Sequence, residues 1–273
     1  MKIQKKYIEK SVRKAIFEDL GKKDITSNLI LKKKTVTAKI VFREKSILCG
    51  KPWIDCFPNF FISLKLKWNY KEGDIVKKNS TLVVIKGLQK EILMAERVMI
   101  NYLQTMSGIA TKTEFYVKKT KKFGVKVFDT RKTIPLFRYE SKYAVHVGGG
   151  FNHRMGLYDG ILIKENHLRY LKNLNKFFKE VRDSHPNVEI IAEIESLKQL
   201  YSAIDYIDVA LLDNMNLTKI KKAVEITKGK IQLEVSGNVS LTNVEKIAST
   251  KVNRISIGDL TKNINCVDIT LLI

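Results

Sequence analysis

The sequence predicts a mixed α/β protein in which a (β/α) barrel follows a smaller α/β domain. Beyond residue 124, short apolar segments alternate with helical stretches, a pattern typical of a parallel sheet with helices outside it. Each of these strands ends in a polar residue or a glycine turn, as in barrels whose active site is assembled from the C-terminal strand ends. Earlier segments alternate apolar and polar residues instead, which favours a mostly antiparallel sheet with one solvated face.

The N-terminal part predicts one helix followed by strands. A helix is expected over residues 7–20, where apolar residues recur at helical spacing and Gly21 is a suitable C-cap. A second helical stretch, 90–120, is expected to be interrupted at Ser107-Gly108, and we place the domain junction there. The expected domains are 1–108, joined by the C-terminal segment 265–273, and 109–264. Strands are predicted at 35–42, 63–68 and 81–87, with a turn at 72–74.

The barrel prediction depends on six apolar segments: VKVFD, DGILIKE, VEIIAEI, IDVALLD, IQLEVSG and RISIGDL. Helices are expected between or after them near 168–183, 196–204, 216–228 and 240–249. The strand ends, in order, carry Asp129 with Arg131 and Lys132, then Lys164, Glu193, Asp213, Ser236-Gly237-Asn238, and Gly258. Because the carboxyl ends of parallel strands meet at one face of a barrel, these groups are predicted to form one site.

The charge composition favours a specific anionic ligand. The formal net charge is +22, which by itself would suggest a nucleic-acid or membrane-surface partner. Most of the excess is lysine scattered along the chain, whereas only nine residues are arginine, and four of these lie between positions 97 and 154. Arginine grips carboxylate and phosphate bidentately. The cations also lack the aromatic residues of a stacking surface, so no nucleic-acid partner is expected.

The cysteines and the hydropathy favour a cytoplasmic protein. Cys49, Cys56 and Cys266 form no C-x-x-C pair, so neither a zinc site nor a disulfide framework is expected. No apolar run approaches the ~18 residues that a membrane span requires, and no membrane partner is expected.

The groups at the strand ends fall into three chemical sets. Cations suit a compact polyacid such as a dicarboxylate. Carboxylates suit a divalent ion or ribose hydroxyls, and the glycine turns suit a phosphate. Together they match phosphoribosyl transfer in the presence of Mg²⁺. The cations are Arg131, Lys132, His153, Arg154 and Lys164, and the carboxylates are Glu193 and Asp213. Arg138, Lys142 and Arg169 are expected on helix surfaces and are left out of the site.

Several motifs resemble one family, nicotinate-nucleotide pyrophosphorylase (carboxylating), also called quinolinate phosphoribosyltransferase. The motifs are DTRKTIP at 129–135, GGGFNHRMGLYDGILIKENH at 148–167, LLDN at 211–214, LEVSGN at 233–238 and SIGDLT at 256–261. The resemblance implies an N-terminal α/β sandwich domain, an incomplete barrel of the type II phosphoribosyltransferases, and a homodimer. The implied reaction converts quinolinate and phosphoribosyl pyrophosphate (PRPP) to nicotinate mononucleotide, pyrophosphate and CO₂, with Mg²⁺ as cofactor.

The resemblance also implies roles for individual residues. Quinolinate binding is assigned to Arg97, Arg131, His153 and Arg154, with Lys132 and Lys164 between the two substrates. Glu193 and Asp213 are assigned to the ribose and Mg²⁺-pyrophosphate, and Lys164, Glu193 and Asp213 are the expected catalytic residues. The remaining substrate contacts are Thr130 beside the cations and, on the phosphate side, Ser236, Gly237, Asn238, Ser256, Gly258 and Lys262. We expect Arg97, which precedes the barrel, to reach the site of the partner subunit.

The sequence departs from the family pattern at five positions. His146 stands where many members have arginine, Leu136 where glycine is common and Phe151 where histidine is frequent. Asp259 and Lys262 replace an alanine and a histidine on the phosphate side. A paralogous phosphoribosyltransferase with another acid substrate is the alternative within the fold. The NHR triplet and Lys164 within IKENH favour quinolinate.

Overall fold

The computed structural model describes residues 4–30, 34–168 and 171–273. The chain divides into two compact units. The first comprises residues 1–112, 146–148 and 264–273, and the second comprises 113–145 and 149–263.

The first unit contains an antiparallel sheet and the helices that precede and follow it. Its helices are α1 (Lys5–Leu20), α2 (Ile25–Ile30), α3 (Lys51–Ile54) and the first part of α4 (Gln89–Lys121), and its strands are β1 (Thr35–Phe42), β2 (Ser46–Ile47), β3 (Lys65–Trp68), β4 (Ile75–Val76), β5 (Ser80–Leu88) and β12 (Ile269–Leu272). The four-stranded sheet has the order β12-β1-β5-β3, and β2 pairs with β4. The predicted first helix and the three predicted strands are therefore confirmed, with small shifts of their ends.

The predicted break in the second helical stretch is wrong, because α4 continues through Ser107 and Gly108. The hydroxyl of Ser107 accepts a hydrogen bond from the backbone N–H of Cys49 at 3.0 Å. A Cβ at Gly108 would lie 2.1 Å from the carbonyl oxygen of Asn265. The glycine allows the C-terminal segment to approach the helix closely, and it does not end the helix.

The second unit is an open parallel barrel. Its strands are β6 (Lys126–Phe128), β7 (Ile161–Ile163), β8 (Ile190–Ile194), β9 (Val209–Asp213), β10 (Gln232–Ser236) and β11 (Arg254–Ser256), and its helices after α4 are α5 (Arg138–Val147), α6 (Glu165–Leu168), α7 (Leu174–Ser184), α8 (Leu197–Ala203), α9 (Leu217–Thr227), α10 (Val244–Ala248) and α11 (Asp259–Lys262). The strand order is β6-β11-β10-β9-β8-β7. The edge strands β6 and β7 do not pair with each other in the described chain, so the barrel is open between them. All six predicted strands and the fold class are confirmed.

Two barrel helices differ from their predicted extents. The stretch expected as one helix over 168–183 contains the end of α6 and nearly all of α7, and α7 begins after Asn173, whose side chain accepts from the backbone N–H of Lys176. Asparagine favours a helix cap over a helix interior, which explains the new start. The helix expected at 240–249 is reduced to α10. Arg169, predicted on a helix surface, lies outside the described residues.

An apolar layer inside the barrel supports the site. Ile191 on β8 and Val209 and Leu211 on β9 are buried together, and Leu162 on β7 packs against them. Because side chains alternate along a strand, Glu193 lies on the same face as Ile191, two residues nearer the C-terminal end. The alternation thus places the polar groups of the strand ends directly above this apolar layer. No helix in the described part of the chain is long and apolar enough to cross a membrane.

Candidate active site

Two arginines that form no salt bridge in the described chain lie close together at the strand ends of the second unit. Arg131 follows β6, and its buried Nε has no hydrogen-bond partner among the described residues. Arg154 donates from Nη1 to the carbonyl oxygen of Gly160 at 3.0 Å. Burial, followed by the charge of Arg131, lowers the pKa of the Arg154 guanidinium. Neither arginine forms a salt bridge within the described ranges. Two neighbouring cations that repel each other form a site for an anion.

The loop that carries Arg154 is held by its own carboxylate. Asp159 accepts backbone N–H groups of Met155 at 2.7 Å and of Gly156 at 2.9 Å. Burial opposes ionisation, but these N–H donors outweigh it, and the pKa of Asp159 lies below its ordinary value. Arg138 links this loop to the segment after β6, donating to the carbonyl oxygens of Met155 and Arg131. Arg138, predicted on a helix surface, is half-buried, and its guanidinium connects these two loops.

The expectation that Lys142 lies on a helix surface is wrong. Its side chain is fully buried and forms an ion pair with Asp129, which is also fully buried. The Lys142 ammonium also donates to the carbonyl oxygen of His153 at 2.8 Å. Asp129 accepts from the backbone N–H of His153 at 2.9 Å and from Nδ2 of Asn152 at 2.6 Å. The buried pair therefore fixes the backbone immediately before Arg154.

His153 has protein partners on both ring nitrogens. Nε2 lies 3.1 Å from Oε1 of Glu234, and Nδ1 accepts from the backbone N–H of Arg154 at 3.2 Å. Glu234 is fully buried on β10, two residues before Ser236. Its other oxygen has no hydrogen-bond partner among the described residues. His153 is thereby held at its ring as well as at its backbone.

Two carboxylates and a lysine occupy the ends of β7, β8 and β9. Lys164 directly follows β7 and donates from Nζ to Oε1 of Glu193 at 2.9 Å. Asp213 ends β9 and accepts from Nδ2 of Asn214 at 2.9 Å. Within the described residues, no three His, Cys, Asp or Glu side chains form a metal-binding group. Two carboxylates fit a Mg²⁺ ion that keeps most of its ligands from water and substrate phosphates.

The turn after β10 places three successive polar groups beside the end of β9. Gly237 has φ +92°, and a Cβ there would lie 2.1 Å from Oδ1 of Asn214. Asn238 also has positive φ and donates from Nδ2 to the same Asn214 oxygen at 3.2 Å. Ser236 ends β10, and its carbonyl oxygen accepts the backbone N–H of Asn214. The positive φ and the close approach of Asn214 therefore require glycine at position 237, and a tight turn of this kind is suited to holding a phosphate.

The turn after β11 lies against the segment that follows β6. A Cβ at Gly258 would lie 3.1 Å from Cδ of Lys132 and 3.6 Å from the hydroxyl of Thr130. Lys132 also donates its backbone N–H to the Thr130 hydroxyl at 3.1 Å. Ser256 is buried at the end of β11, and Lys262 is exposed at the end of α11. The structure therefore brings residues 130–132 and the glycine turn at Gly258 together.

Arg97 belongs to the first unit. It lies on α4 and its side chain is exposed. Its role toward an acid substrate stays a prediction.

The structure shows the surroundings of three of the five residues that depart from the family pattern. Leu136 adopts φ +61° with 91% of its surface exposed, a conformation that glycine adopts without strain. Phe151 stacks on Phe128 with the ring centroids 5.5 Å apart. Asp259 accepts from Asn263 and hydrogen-bonds the Tyr116 hydroxyl. Burial and the Asp259 charge raise the pKa of Tyr116 to about 12, so the tyrosine stays protonated.

Sequence reasoning missed the residues that hold the site from below. The sequence pattern marks Asp129 only as a strand end and assigns no role to Glu234. Glu234 could have been found from alternation, since an acid two residues before Ser236 must share its inward face. The partner of Lys142 had no signal in the sequence, because the two residues are separated by a loop of irregular structure.

Fold and site together define the chain as a phosphoribosyltransferase with an open (β/α) barrel. Two family models match it, the N-terminal domain of quinolinate phosphoribosyl transferase at residues 24–107 and the C-terminal domain at residues 109–272. The chain belongs to the quinolinate phosphoribosyl transferase family.

Similar proteins extend over the whole chain. A probable nicotinate-nucleotide pyrophosphorylase (carboxylating) of Bacillus subtilis is 34% identical over 267 residues, which is 97% of this chain and 92% of the relative. The solved structure of the nicotinate-nucleotide pyrophosphorylase from Francisella tularensis has a TM-score of 0.95 at 38% identity, covering 99% of this chain and 97% of that one. The enzyme from Ehrlichia chaffeensis has a TM-score of 0.94 at 40% identity, covering 100% and 99%.

Proposed function

We propose that the chain transfers the phosphoribosyl group of PRPP to the ring nitrogen of quinolinate and releases pyrophosphate and CO₂, giving nicotinate mononucleotide for NAD synthesis. The observation that supports this most directly is the pair of neighbouring guanidiniums, Arg131 and Arg154, neither of which forms a salt bridge in the described chain. Two forked cations match the two adjacent carboxylates of quinolinate. A single carboxylate would leave one cation uncompensated, which is costly when the site closes.

The chain's own residues position and stabilise the reacting groups. Arg131 and Arg154 bind the acid, with His153 beside them, while Lys132 and Lys164 lie between the two substrates. As pyrophosphate leaves, C1 of the ribose becomes cationic, and the carboxylates of Glu193 and Asp213 stabilise that charge. The backbone turns at Gly237 and Gly258 hold the 5′-phosphate, assisted by the neighbouring polar side chains. These are Thr130, Ser236, Asn238, Ser256 and Lys262.

Carbon dioxide loss follows from the bond that the ring nitrogen forms. The nitrogen lone pair attacks C1 while the bond from C1 to the pyrophosphate oxygen breaks. When the bond to the adjacent carboxylate then breaks, CO₂ leaves and the electron pair stays on the ring carbon, where the positive charge of the neighbouring quaternary nitrogen stabilises it. Water protonates this carbanion. No dedicated general base is required, so the main task of the protein is positioning.

Mg²⁺ is proposed to enter with PRPP. When bound, it would neutralise charge on the departing pyrophosphate. Glu193 and Asp213 are the residues that would hold it. Because Glu193 already accepts from Lys164 at 2.9 Å, the protein contributes few ligands and the substrate contributes most.

We further propose a cytoplasmic homodimer in which Arg97 reaches the acid substrate of the partner subunit. A two-fold axis makes such a contact reciprocal. Mixing separately inactive Arg97→Ala and Lys164→Ala chains tests this arrangement. Random reassortment should restore roughly a quarter of wild-type activity if Arg97 acts in trans. If the mixture stays inactive, Arg97 does not act in trans.

The reaction itself is tested by incubating the chain with quinolinate, PRPP and Mg²⁺ and detecting nicotinate mononucleotide. Nicotinate replaces quinolinate in a parallel reaction. We expect efficient turnover of quinolinate and poor turnover of nicotinate, because one carboxylate cannot compensate both arginines. Comparable turnover of the two acids would refute the assignment of the arginine pair.

A further inference from the structure

The buried carboxylate of Glu234 has no role in the reaction described above. Its side chain is fully buried on β10, and Oε1 lies 3.1 Å from Nε2 of His153. The other oxygen has no hydrogen-bond partner in the part of the chain that the structure describes. A buried ionisable group with half its acceptors unused is expensive to keep. Apolar residues in the same layer show that the interior at this depth accommodates hydrophobic side chains.

The hydrogen bonds around His153 define which ring nitrogen carries the proton. Nδ1 accepts from the backbone N–H of Arg154, so Nδ1 has a lone pair and the proton is on Nε2. Nε2 then donates to Oε1 of Glu234. Glutamine at position 234 could present either its oxygen or its NH₂ group to Nε2, whereas an ionised carboxylate only accepts and therefore holds the proton on Nε2. The ring, in turn, touches the backbone of Arg154 itself.

We propose that Glu234 is a positioning residue for the acid substrate and acts through His153. Its carboxylate fixes the Nε2–H form of the imidazole, and the imidazole fixes the backbone N–H of Arg154. The proposal rests on the proposed quinolinate site. It predicts an effect confined to the acid and absent from PRPP.

The expected effect follows from the strength of hydrogen bonds to charged groups. Glu234→Gln keeps the shape and removes the charge, so quinolinate should bind about tenfold to a hundredfold more weakly. PRPP affinity should change less than about twofold, since the Glu234 carboxylate forms no hydrogen bond with the glycine turns in the described chain. Both affinities are measured directly by calorimetry on the full chain, so that the result does not depend on turnover. Wild-type turnover of quinolinate is measured separately and reports on the proposed function alone.

Glu189→Gln is the matched control. Glu189 also lies at the barrel and accepts from Arg254 at 2.6 Å, but it precedes β8 at the opposite strand ends and does not contact His153. Its replacement should leave quinolinate affinity unchanged. Equal weakening by the two variants would overturn the proposal, and so would a folded Glu234→Gln chain that binds quinolinate as the wild type does.

The ring nitrogen that carries the proton provides a second readout, and its decisive result comes from the wild-type chain. The chain has four histidines, so ¹⁵N-histidine labelling gives a simple spectrum, and His153→Gln identifies the signal that belongs to this ring. The wild-type signal should be that of a fixed Nε2–H imidazole. In Glu234→Gln it should move toward a mixture of the two neutral forms. A wild-type ring with its proton on Nδ1 would overturn the proposal even if quinolinate turnover were normal.

Discussion

The buried pair of Lys142 and Asp129 supplies the most severe test of how the site is built. Replacing Lys142 by methionine keeps the length of the side chain and removes its charge. Both partners are fully buried, so no water can replace the lost ammonium. The carboxylate of Asp129 keeps its bonds from Asn152 and from the backbone N–H of His153, and it loses its compensating charge.

The expected cost is about 3–5 kcal/mol of unfolding free energy, the usual effect of removing one partner of a buried ion pair. Burial raises the pKa of Asp129 and lowers that of Lys142, although the charge of each partner acts in the opposite direction. Burial therefore disfavours both charges even in the pair, and an unpaired charge would be disfavoured further. Domains are stabilised by only about 5–15 kcal/mol in total, so the loss is a large fraction. Activity should fall as well, because the carbonyl of His153 is released next to Arg154.

Urea unfolding followed by circular dichroism measures the stability, and quinolinate saturation curves measure the site. The control is Lys176→Met, whose exposed side chain lies 3.9 Å from Glu180 and should cost less than about 0.5 kcal/mol. Adding Asp129→Asn to Lys142→Met should recover part of the loss, because it removes the uncompensated charge. If Lys142→Met and Lys176→Met unfold at the same urea concentration, the ion pair of Lys142 with Asp129 does not stabilise the backbone at His153.

Four further predictions follow from single residues. Lys164→Ala should lower kcat by ~10²-fold; a raised KM with normal kcat would restrict Lys164 to binding. Leu136→Gly should be about 1 kcal/mol more stable than Leu136→Ala in urea, since both remove an exposed side chain and only glycine relieves the positive φ. Cys266 should react with a thiol reagent well before Cys49, whose thiol is fully buried with a pKa raised by that burial, and mass spectrometry of the labelled peptides shows the order. Asp159→Asn should destabilise the chain at neutral pH, and this difference should shrink on acidification, because a carboxyl with a lowered pKa loses its contribution as pH falls through that pKa; an unfolding-midpoint difference that stays constant on acidification would contradict this.

The open barrel was predictable from local patterns in the sequence. The same pattern recurs along the chain: a short apolar strand, a polar residue at its end and a helical stretch. The parallel topology then brings the strand ends to one face. The juxtaposition of Lys164 with Glu193 follows from this rule alone, because they end neighbouring strands. Helix ends were less predictable, as in the stretch around Asn173, since a cap depends on side-chain hydrogen bonds that periodicity does not encode.

The sequence by itself thus determined the strands, the face on which the site lies and the kinds of charge that it presents. The tertiary structure alone decided what lies beneath those charges. In the sequence, Lys142 cannot be told from a surface lysine on a helix, and only the structure shows its ion pair with Asp129. Likewise Gly108 predicts a helix break in the sequence, and only the structure shows that it makes room for Asn265. Local patterns record what each segment prefers, whereas the partner of a buried charge is set by packing between segments distant in the chain.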